Sequence, residues 1–449
     1  MPAIVALLQC FQPVLPATTL RQFGKIIFAL LALTGRVTML GISRWAGQGG
    51  SYRTVQRFFY TVLPWATLFW VFFRHHLQRP DDVYLLAGDE VVVRKAGACT
   101  HGLDRFFAGM YGRVIPGLAF FSLALLSTQE RRAFPVRIEQ VVRSEAEKAA
   151  SQAKAAAKKA PKAGEPRKRG RPKGSKNKAA GVSLSPELLR IQAMLTAQLE
   201  LMAGHIPLAY LVLDGHFGNH PALHMVRQCG LHLISKLRCD SALYLPYAGP
   251  YQGHGPHRTY GDKLDYRQLP ASCLKTTASE GPIETRIYQT QARHKEFSQP
   301  LNVVIIVKTN LQTQAWAHVI LFSSDLTLAY AQLIDYYRLR FQLEFNFRDA
   351  KQYWGLEDFM NTSETAVTNA ANLALFMVNF SQRLLADLRP ADPECSILDL
   401  KAVCRGTKYV AEAIKMLPEK PEPILLARIF SRLTALGRIH GGQPALSSP

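Results

Sequence analysis

The sequence predicts a mixed α/β protein: a core of strands and helices interrupted by a β-rich insertion, preceded by an all-helical segment and followed by a helical region. Three observations predict it. The first eighty residues place apolar side chains at helical spacing with no alternating stretch. From Val83 the pattern changes to short apolar runs that end in polar residues. Between 237 and 312 a turn-rich stretch gives way to strict alternation. At 449 residues with 48% hydrophobic content, the chain is long enough for two or three domains and a sizeable core.

The N-terminal segment, 1–80, contains "RVTMLGISRWAGQGGSYRTVQRFFYTVL", which reads as two helices separated by the flexible "GQGG", with Ser51 as N-cap of the second. As a helix-turn-helix, this would set Arg53, Gln56 and Arg57, with Tyr52 beside them, at the leading end of a DNA-recognition helix. A helical hairpin packed against the next domain fits the same pattern. The runs "IIFALLAL" and "WATLFWVFF" are too short to span a bilayer and read as buried helices, so no membrane partner is expected.

A core over 81–236 and 313–386 follows. "VYLLAGDEVVVRKAG" and "GLAFFSLALLS" read as strands, the first ending at Asp89. "SPELLRIQAMLTAQLELMA" is a helix with Ser185 and Pro186 at its start. "PLAYLVLDGHFGNHPAL" is a buried strand that delivers Asp214 at its C-terminal end, and 231–236 continues the sheet. The insertion occupies 237–312, an aromatic helix spans about 328–350, helix continues to about 385, and a basic tail closes the chain over 387–449.

Charge points to a polyanionic partner. Lys+Arg number 54 against 33 Asp+Glu, a net +21, and nucleic acid is the leading candidate. Twelve of the cations fall between Lys148 and Lys178 against Glu165 alone. This linker, 145–182, has almost nothing to bury and is expected to be disordered. Within it Arg169-Gly170-Arg171-Pro172, followed by Lys173, resembles an AT-hook, whose thin Gly-Arg segment enters a narrow A·T-rich minor groove. A solvated linker that binds DNA without preference is an equal alternative. The seven cysteines form no C-x-x-C pair, which argues against a zinc ribbon or a disulfide framework, and a reducing cytosol fits best. His216, His220 and His224 recur at i,i+4, but Gly215, Gly218 and Pro221 interrupt any helix through them, so they read as a loop and a helix start.

The aromatic helix carries "YYRLRFQLEFNFRDAK". At 100° per residue Tyr337, Arg340, Glu344 and Lys351 share a sector about 60° wide. Ile334, Phe341 and Phe345 form a second line about a quarter-turn away, the expected core-facing stripe. Arg340 and Glu344 alone would be an ordinary i,i+4 surface pair. Together with strand-end Asp89 and Asp214, however, Glu344 completes a carboxylate set suited to two-metal phosphoryl chemistry, because Mg²⁺ takes hard oxygen ligands around a scissile phosphate.

Tyr337-x2-Arg340-x3-Glu344-x6-Lys351 resembles, at every spacing, the Tyr-Arg-Glu-Lys signature of the bacterial insertion-sequence transposases of the fourth group, DDE enzymes with a ribonuclease-H-like core. The resemblance runs from about 20 to 385. "DGHFGNHPAL" is similar to the family's second-aspartate box and "GDEVVVRKAGACTHGLDRFFAG" to its first, although Asp89-Glu90-Val91 departs from the usual Asp-x-Thr. Strand alternation aims Glu90 away from Asp89, and Asp81, Asp82 and Asp104 lie outside the strand end, so Asp89 is retained. The resemblance implies that Asp89, Asp214 and Glu344 are catalytic ligands of two Mg²⁺ ions, with Mn²⁺ as a substitute. It further implies that Tyr337, Arg340 and Lys351 grip phosphate near the cleaved end. The implied partners are double-stranded DNA, as transposon ends and target, and a second copy in a homodimeric synaptic complex at the bacterial nucleoid. Two other readings compatible with the residues are a non-catalytic architectural or regulatory DNA-binding protein derived from a transposase, and a metal-dependent nuclease without strand transfer.

Overall fold

The computed structural model describes residues 2–150, 153, 182–251, 253, 257–390, 392–419 and 421–440. The AT-hook-like residues Arg169, Arg171 and Lys173 lie outside them. Helices α1 (Pro2–Leu8), α2 (Ala17–Ala32), α3 (Met39–Ala46), α4 (Tyr52–Phe59) and α5 (Trp65–His76) precede strands β1 (Tyr84–Arg94), β2 (Asp104–Ala108), β3 (Arg113–Ser127) and β4 (Arg132–Val141). Then come α6 (Pro186–Met202), β5 (Tyr210–Val212), α7 (His220–Gln228), β6 (His232–Leu237), β7 (Leu243–Pro246), β8 (Tyr260–Lys263), β9 (Leu274–Glu280), β10 (Ile283–His294), β11 (Leu301–Asn310) and β12 (Trp316–Ser323). The chain closes with α8 (Tyr330–Leu339), α9 (Gln342–Trp354), α10 (Glu364–Leu388), α11 (Ile397–Lys415) and α12 (Pro423–Ala435). No helix among the described residues is long and apolar enough to cross a membrane. Two compact units result: residues 1–140, 201–206 and 341–449 form the first, and 141–200 with 207–340 the second.

The first unit is organised by α10. Its sequence "AVTNAANLALFMVNF" is apolar on every side, as expected of a helix with no solvent face. The Phe376 ring lies 5.2 Å from both Phe23 and Phe72 and 5.8 Å from both Phe11 and Phe69, so the N-terminal helices share its core. Buried asparagines on this helix meet backbone groups that would otherwise be orphaned. Asn369 donates to the carbonyls of Phe59 (2.8 Å) and Thr61 (2.7 Å) and accepts from Trp65 Nε1 (2.7 Å). Asn379 donates to Pro135 O (2.7 Å), while Asn346 on α9 donates to Ala133 O (3.1 Å), which satisfies carbonyls of β4.

In this unit β3 pairs with β1 and β2, and also with β4. The ladder between β1 and β3 is antiparallel from Tyr84 opposite Ser127 to Arg94 opposite Gly117. The strand therefore does not stop at Asp89, as the sequence predicts, but runs on for five residues. β-branched Val91, Val92 and Val93 continue the pairing against Phe120, Ala119 and Leu118. Asp89 sits mid-strand opposite Ser122.

The single helix expected over 328–350 is two helices, α8 and α9, separated at Arg340–Phe341. At the break tighter bonds replace helical ones: Arg340 N–H donates to Tyr337 O (3.3 Å) and Glu344 N–H to Phe341 O (3.1 Å). The expected core stripe is also corrected. Ile334 is buried, but Phe341 is 50% and Phe345 36% exposed. The buried residues of α9 include Leu343, Phe347, Ala350 and Trp354, whose i, i+4, i+7, i+11 spacing confines them to a sector about 60° wide.

Three cations on α11 finish the packing. Lys401 Nζ donates to Leu30 O (2.9 Å) and Tyr353 O (3.2 Å), Arg405 Nε to Ala32 O (3.1 Å), and Lys408 Nζ to Trp45 O. These carbonyls belong to the C-terminal turns of α2, α9 and α3, where helices leave acceptors unpaired and favour positive charge.

In the second unit β5 and β6 are parallel, and the sheet continues through β12, β11, β10, β7 and β8, with β9 also pairing β10. Strands β7 to β11 fall in or close to the segment between 237 and 312.

Candidate active site

In the first unit Asp89 lies among Val91 and Val93, both buried on its own face of β1, while Glu90 is exposed on the opposite face. An Asp89 carboxylate oxygen accepts the Glu90 backbone N–H at 2.9 Å. Glu344 occupies the first turn of α9 and is exposed there, where the helix dipole favours a carboxylate. α9 is fastened to β1 by Lys351, whose Nζ donates to Val92 O (3.1 Å) and pairs with Glu357 (2.9 Å). Glu344 precedes Lys351 by about 10.5 Å of helix rise, and Asp89 precedes Val92 by about 10 Å of strand, so the two displacements match.

The far end of α9 is held as firmly. Gly355 closes it in the left-handed region, at φ 80°, and a Cβ there would stand 2.3 Å from Val37 Cβ. Lys95 donates to Phe359 O (2.7 Å) and Glu357 O (3.2 Å) in the loop that follows. Burial pulls this ammonium down to about 8.

In the second unit Asp214 follows the end of β5, as the sequence predicts, and caps a short 3-10 turn by accepting the His216 N–H (3.1 Å). Its carbonyl accepts the Ser235 hydroxyl (2.6 Å). "DGHFGN" has a local physical reason: at Gly218 a Cβ would lie 2.1 Å from Lys236 O, so only glycine allows this approach to β6. His216 lies 3.4 Å from Glu187 and, through that hydrogen bond, holds the Glu187 carboxyl below its ordinary value. His220 begins α7 behind its Asn219 cap. Among the described residues no three His, Cys, Asp or Glu side chains form a group suited to enclosing a metal.

The remaining residues singled out in the sequence are divided. Tyr337 and Arg340, both half-buried, belong to the second unit, with the guanidinium 6.0 Å from the Tyr337 ring; Glu344 and Lys351 belong to the first. On α4, capped by Ser51, Arg53 and Arg57 are exposed and Gln56 is half-buried, while Phe58 and Phe59 anchor the helix inward. Sequence reasoning missed the exposed pair Phe341 and Phe345, edge to face at 5.2 Å, with the Arg348 guanidinium 4.8 Å from Phe345. The four-residue Leu343-Phe347-Ala350-Trp354 line, against three residues in the other, was the signal that these rings face outward.

Mixed α/β architecture with paired strands and surface carboxylates of this kind suits a nuclease of the DDE class. The family model described as "DDE superfamily endonuclease" matches residues 10–299, and the chain belongs to that family. The matched span contains Asp89 and Asp214 and ends before Glu344. No curated protein matches the sequence. DDE endonucleases act on DNA and generally use divalent metals. The donors fit such an ion: Asp89 and Glu344 offer hard carboxylate oxygens, and Mg²⁺ is held by one or two carboxylates with waters and substrate phosphates, not by an all-protein cage.

Proposed function

We propose that this chain is a transposase of the insertion-sequence fourth group that binds the terminal inverted repeats of its element, cuts them at their 3′ ends and joins them to target DNA. The observation that carries the reading is Glu344, the acid of the Tyr-Arg-Glu-Lys spacing, on a helix tied by Lys351 to the strand that bears Asp89. Asp89, Asp214 and Glu344 are the ligands of two Mg²⁺ ions, or of Mn²⁺ in their place. When bound, such ions activate the attacking hydroxyl and stabilise the leaving oxygen.

The chain's own residues orient the DNA. Arg340 and Tyr337 hold phosphate beside the cut. Lys351 has three donors, and Val92 and Glu357 account for two, which leaves one for a phosphate oxygen. Arg53, Gln56 and Arg57 read the repeat, and Arg169, Arg171 and Lys173 follow the backbone or the minor groove. Two copies hold two ends, in the cytoplasm at the nucleoid.

The test is strand cleavage on a denaturing gel, using DNA that carries the repeats flanking the gene, with Mg²⁺ or EDTA. Metal-dependent cuts at the repeat tip, lost in Glu344→Gln and Asp214→Asn while end binding persists, are expected. Cuts without joined products reduce the activity to a nuclease, and binding without cuts under any metal refutes the catalytic reading.

A further inference from the structure

A groove of about 820 Å³ lies in the first unit among α1, α2, the end of α3 and α11, and the chemistry just described makes no use of it. Its size falls within the roughly 300–1,000 Å³ that encloses one small molecule. One face of α2 forms a wall: Ala17, Leu20, Arg21, Gly24, Lys25 and Phe28 recur at helical spacing within a sector about 140° wide. Phe23, Ile26 and Leu30 point the other way and are buried in the core. Leu8 from α1 and Trp45 from α3 add to the apolar lining.

Two features say what the groove takes. Gly24, near the middle of the α2 face, is a glycine in a helix interior, where alanine is favoured. Packing within the chain does not require it, because a Cβ there would meet Leu8 Cδ1 at an ordinary 3.5 Å. The bare spot keeps the groove open for an apolar body. The second feature is charge. Arg21, Lys25, Lys408 and Lys415 line the groove against one carboxylate, Glu412, which pairs with Lys415 at 2.8 Å. Lys25 Nζ donates to Gln48 O (2.8 Å) and Lys408 Nζ to Trp45 O, which leaves each ammonium further donors. An apolar body with an anionic head complements this lining, and a neutral or cationic head does not.

We propose that the groove binds one free long-chain carboxylate, its tail along the α2 face and its head on the α2 and α11 cations, and that occupancy loosens the turn between α3 and α4. Trp45 O and Gln48 O stand at the end of α3 and in that turn, and Lys25 and Lys408 hold them. A carboxylate is a stronger acceptor than a carbonyl, so it draws both ammonium groups away from the turn that aims α4. An enclosure for one small molecule suits a free acid and not a chain anchored in a bilayer. The effect on α4 rests on the reading of that helix as the one that meets DNA, whereas the ligand site stands without it.

The experiment is isothermal titration calorimetry of the full-length protein with dodecanoate, below its micelle-forming concentration, and with dodecanol, for wild type, Gly24→Leu and Arg21→Gln/Lys25→Gln. Wild type should bind dodecanoate, and dodecanol about tenfold or more weakly, since the alcohol forfeits the charge-assisted bonds. Leucine suits a helix and fills the groove, so Gly24→Leu should lose binding at an unchanged melting temperature. The glutamine pair should weaken dodecanoate about tenfold and leave dodecanol as it was. Saturating dodecanoate should also lower wild-type affinity for repeat-bearing duplex severalfold and leave that of Gly24→Leu unchanged. No dodecanoate binding, dodecanol binding as tightly, or binding that survives Gly24→Leu overturns the ligand site. So does a glutamine pair with wild-type dodecanoate affinity, which decides the matter even if Gly24→Leu melts early. Binding to anionic phospholipid vesicles that is lost in Gly24→Leu overturns the free acid as the occupant. Unchanged duplex affinity overturns the coupling to α4, and a protein that binds dodecanoate but no duplex refutes the DNA reading and not the ligand site.

Discussion

Replacing Lys401 with methionine tests how the helix that carries Glu344 is held. Lys401 is 7% exposed, its ammonium donates to Leu30 O and Tyr353 O, and it lies 4.8 Å from the centre of the Trp354 ring. No carboxylate shares the site among these contacts, and burial lowers the group from 10.5 to about 8. Methionine keeps the volume, removes the buried charge and leaves two carbonyls without their donor, so at pH 7 the two effects oppose one another. Their pH dependence does not cancel. The unfolded chain keeps the lysine proton until about 10.5 and the folded protein releases it near 8, so between those values the unfolded state binds more protons and stability rises with pH. From pH 7 to 9.5 the wild type therefore gains about 2 kcal/mol from this residue, taking 1.36 kcal/mol per unit over roughly the 1.5 units above 8. Lys401→Met lacks that gain. Lys95 shifts in the same direction but is present in both proteins and drops out of the comparison. Urea unfolding followed by tryptophan fluorescence at pH 7 and 9.5 is the assay, since Trp45, Trp65, Trp70 and Trp354 all lie in the first unit. The variant should fall further behind wild type at pH 9.5 by about 2 kcal/mol; an equal offset at both pH values refutes the buried, proton-releasing role of Lys401.

Gly355→Ala should destabilise the first unit by about 2–4 kcal/mol, combining a left-handed backbone penalty with a clash against Val37, and should depress cleavage through the displaced α9; an unchanged melting temperature contradicts it. Asn369→Leu removes the donor to Phe59 O and Thr61 O and the acceptor for Trp65, and a loss of about 3 kcal/mol in denaturant unfolding is expected, whereas a stability within 0.5 kcal/mol of wild type, about the neutral range, would mean those groups find other partners. Deleting 148–178 should weaken duplex binding and flatten its salt dependence, because twelve cations leave with the segment; an unchanged slope removes the tract from the DNA contact.

What could be read from the sequence was what is decided locally. The Asp214 turn is written in "DGHFGN", where the aspartate caps its own turn and Gly218 is the residue that tolerates the approach of Lys236 O. Ser51 likewise caps α4 from within three residues, accepting from Thr54 N–H. The end of β1 was misplaced for a different reason: a polar Asp-Glu step resembles a strand end, and only the partner residues of β3 show that the three valines beyond it still pair.

The core face of α9 was misread because its phase was carried forward from Ile334 and not from Leu339, which is also buried. Counting from Ile334 at 100° per residue puts Phe341 and Phe345 on the Ile334 side and Leu343 opposite. Across the break at Arg340–Phe341, where both residues keep right-handed helical backbone, the buried side continues from Leu339, only about 40° from Leu343 on that count, so Leu343, Phe347, Ala350 and Trp354 go inward and the two phenylalanines outward. The same break changes the meaning of the Tyr-Arg-Glu-Lys spacing. It is not one row on one helix but two pairs, Tyr337 with Arg340 at the end of α8 and Glu344 with Lys351 on α9, each built into a different compact unit. A fixed interval between the pairs is then a constraint on the two-residue joint, not on a helical face. Lengthening that joint should disturb the proposed phosphate grip and the proposed metal ligand relative to each other while leaving both helices intact.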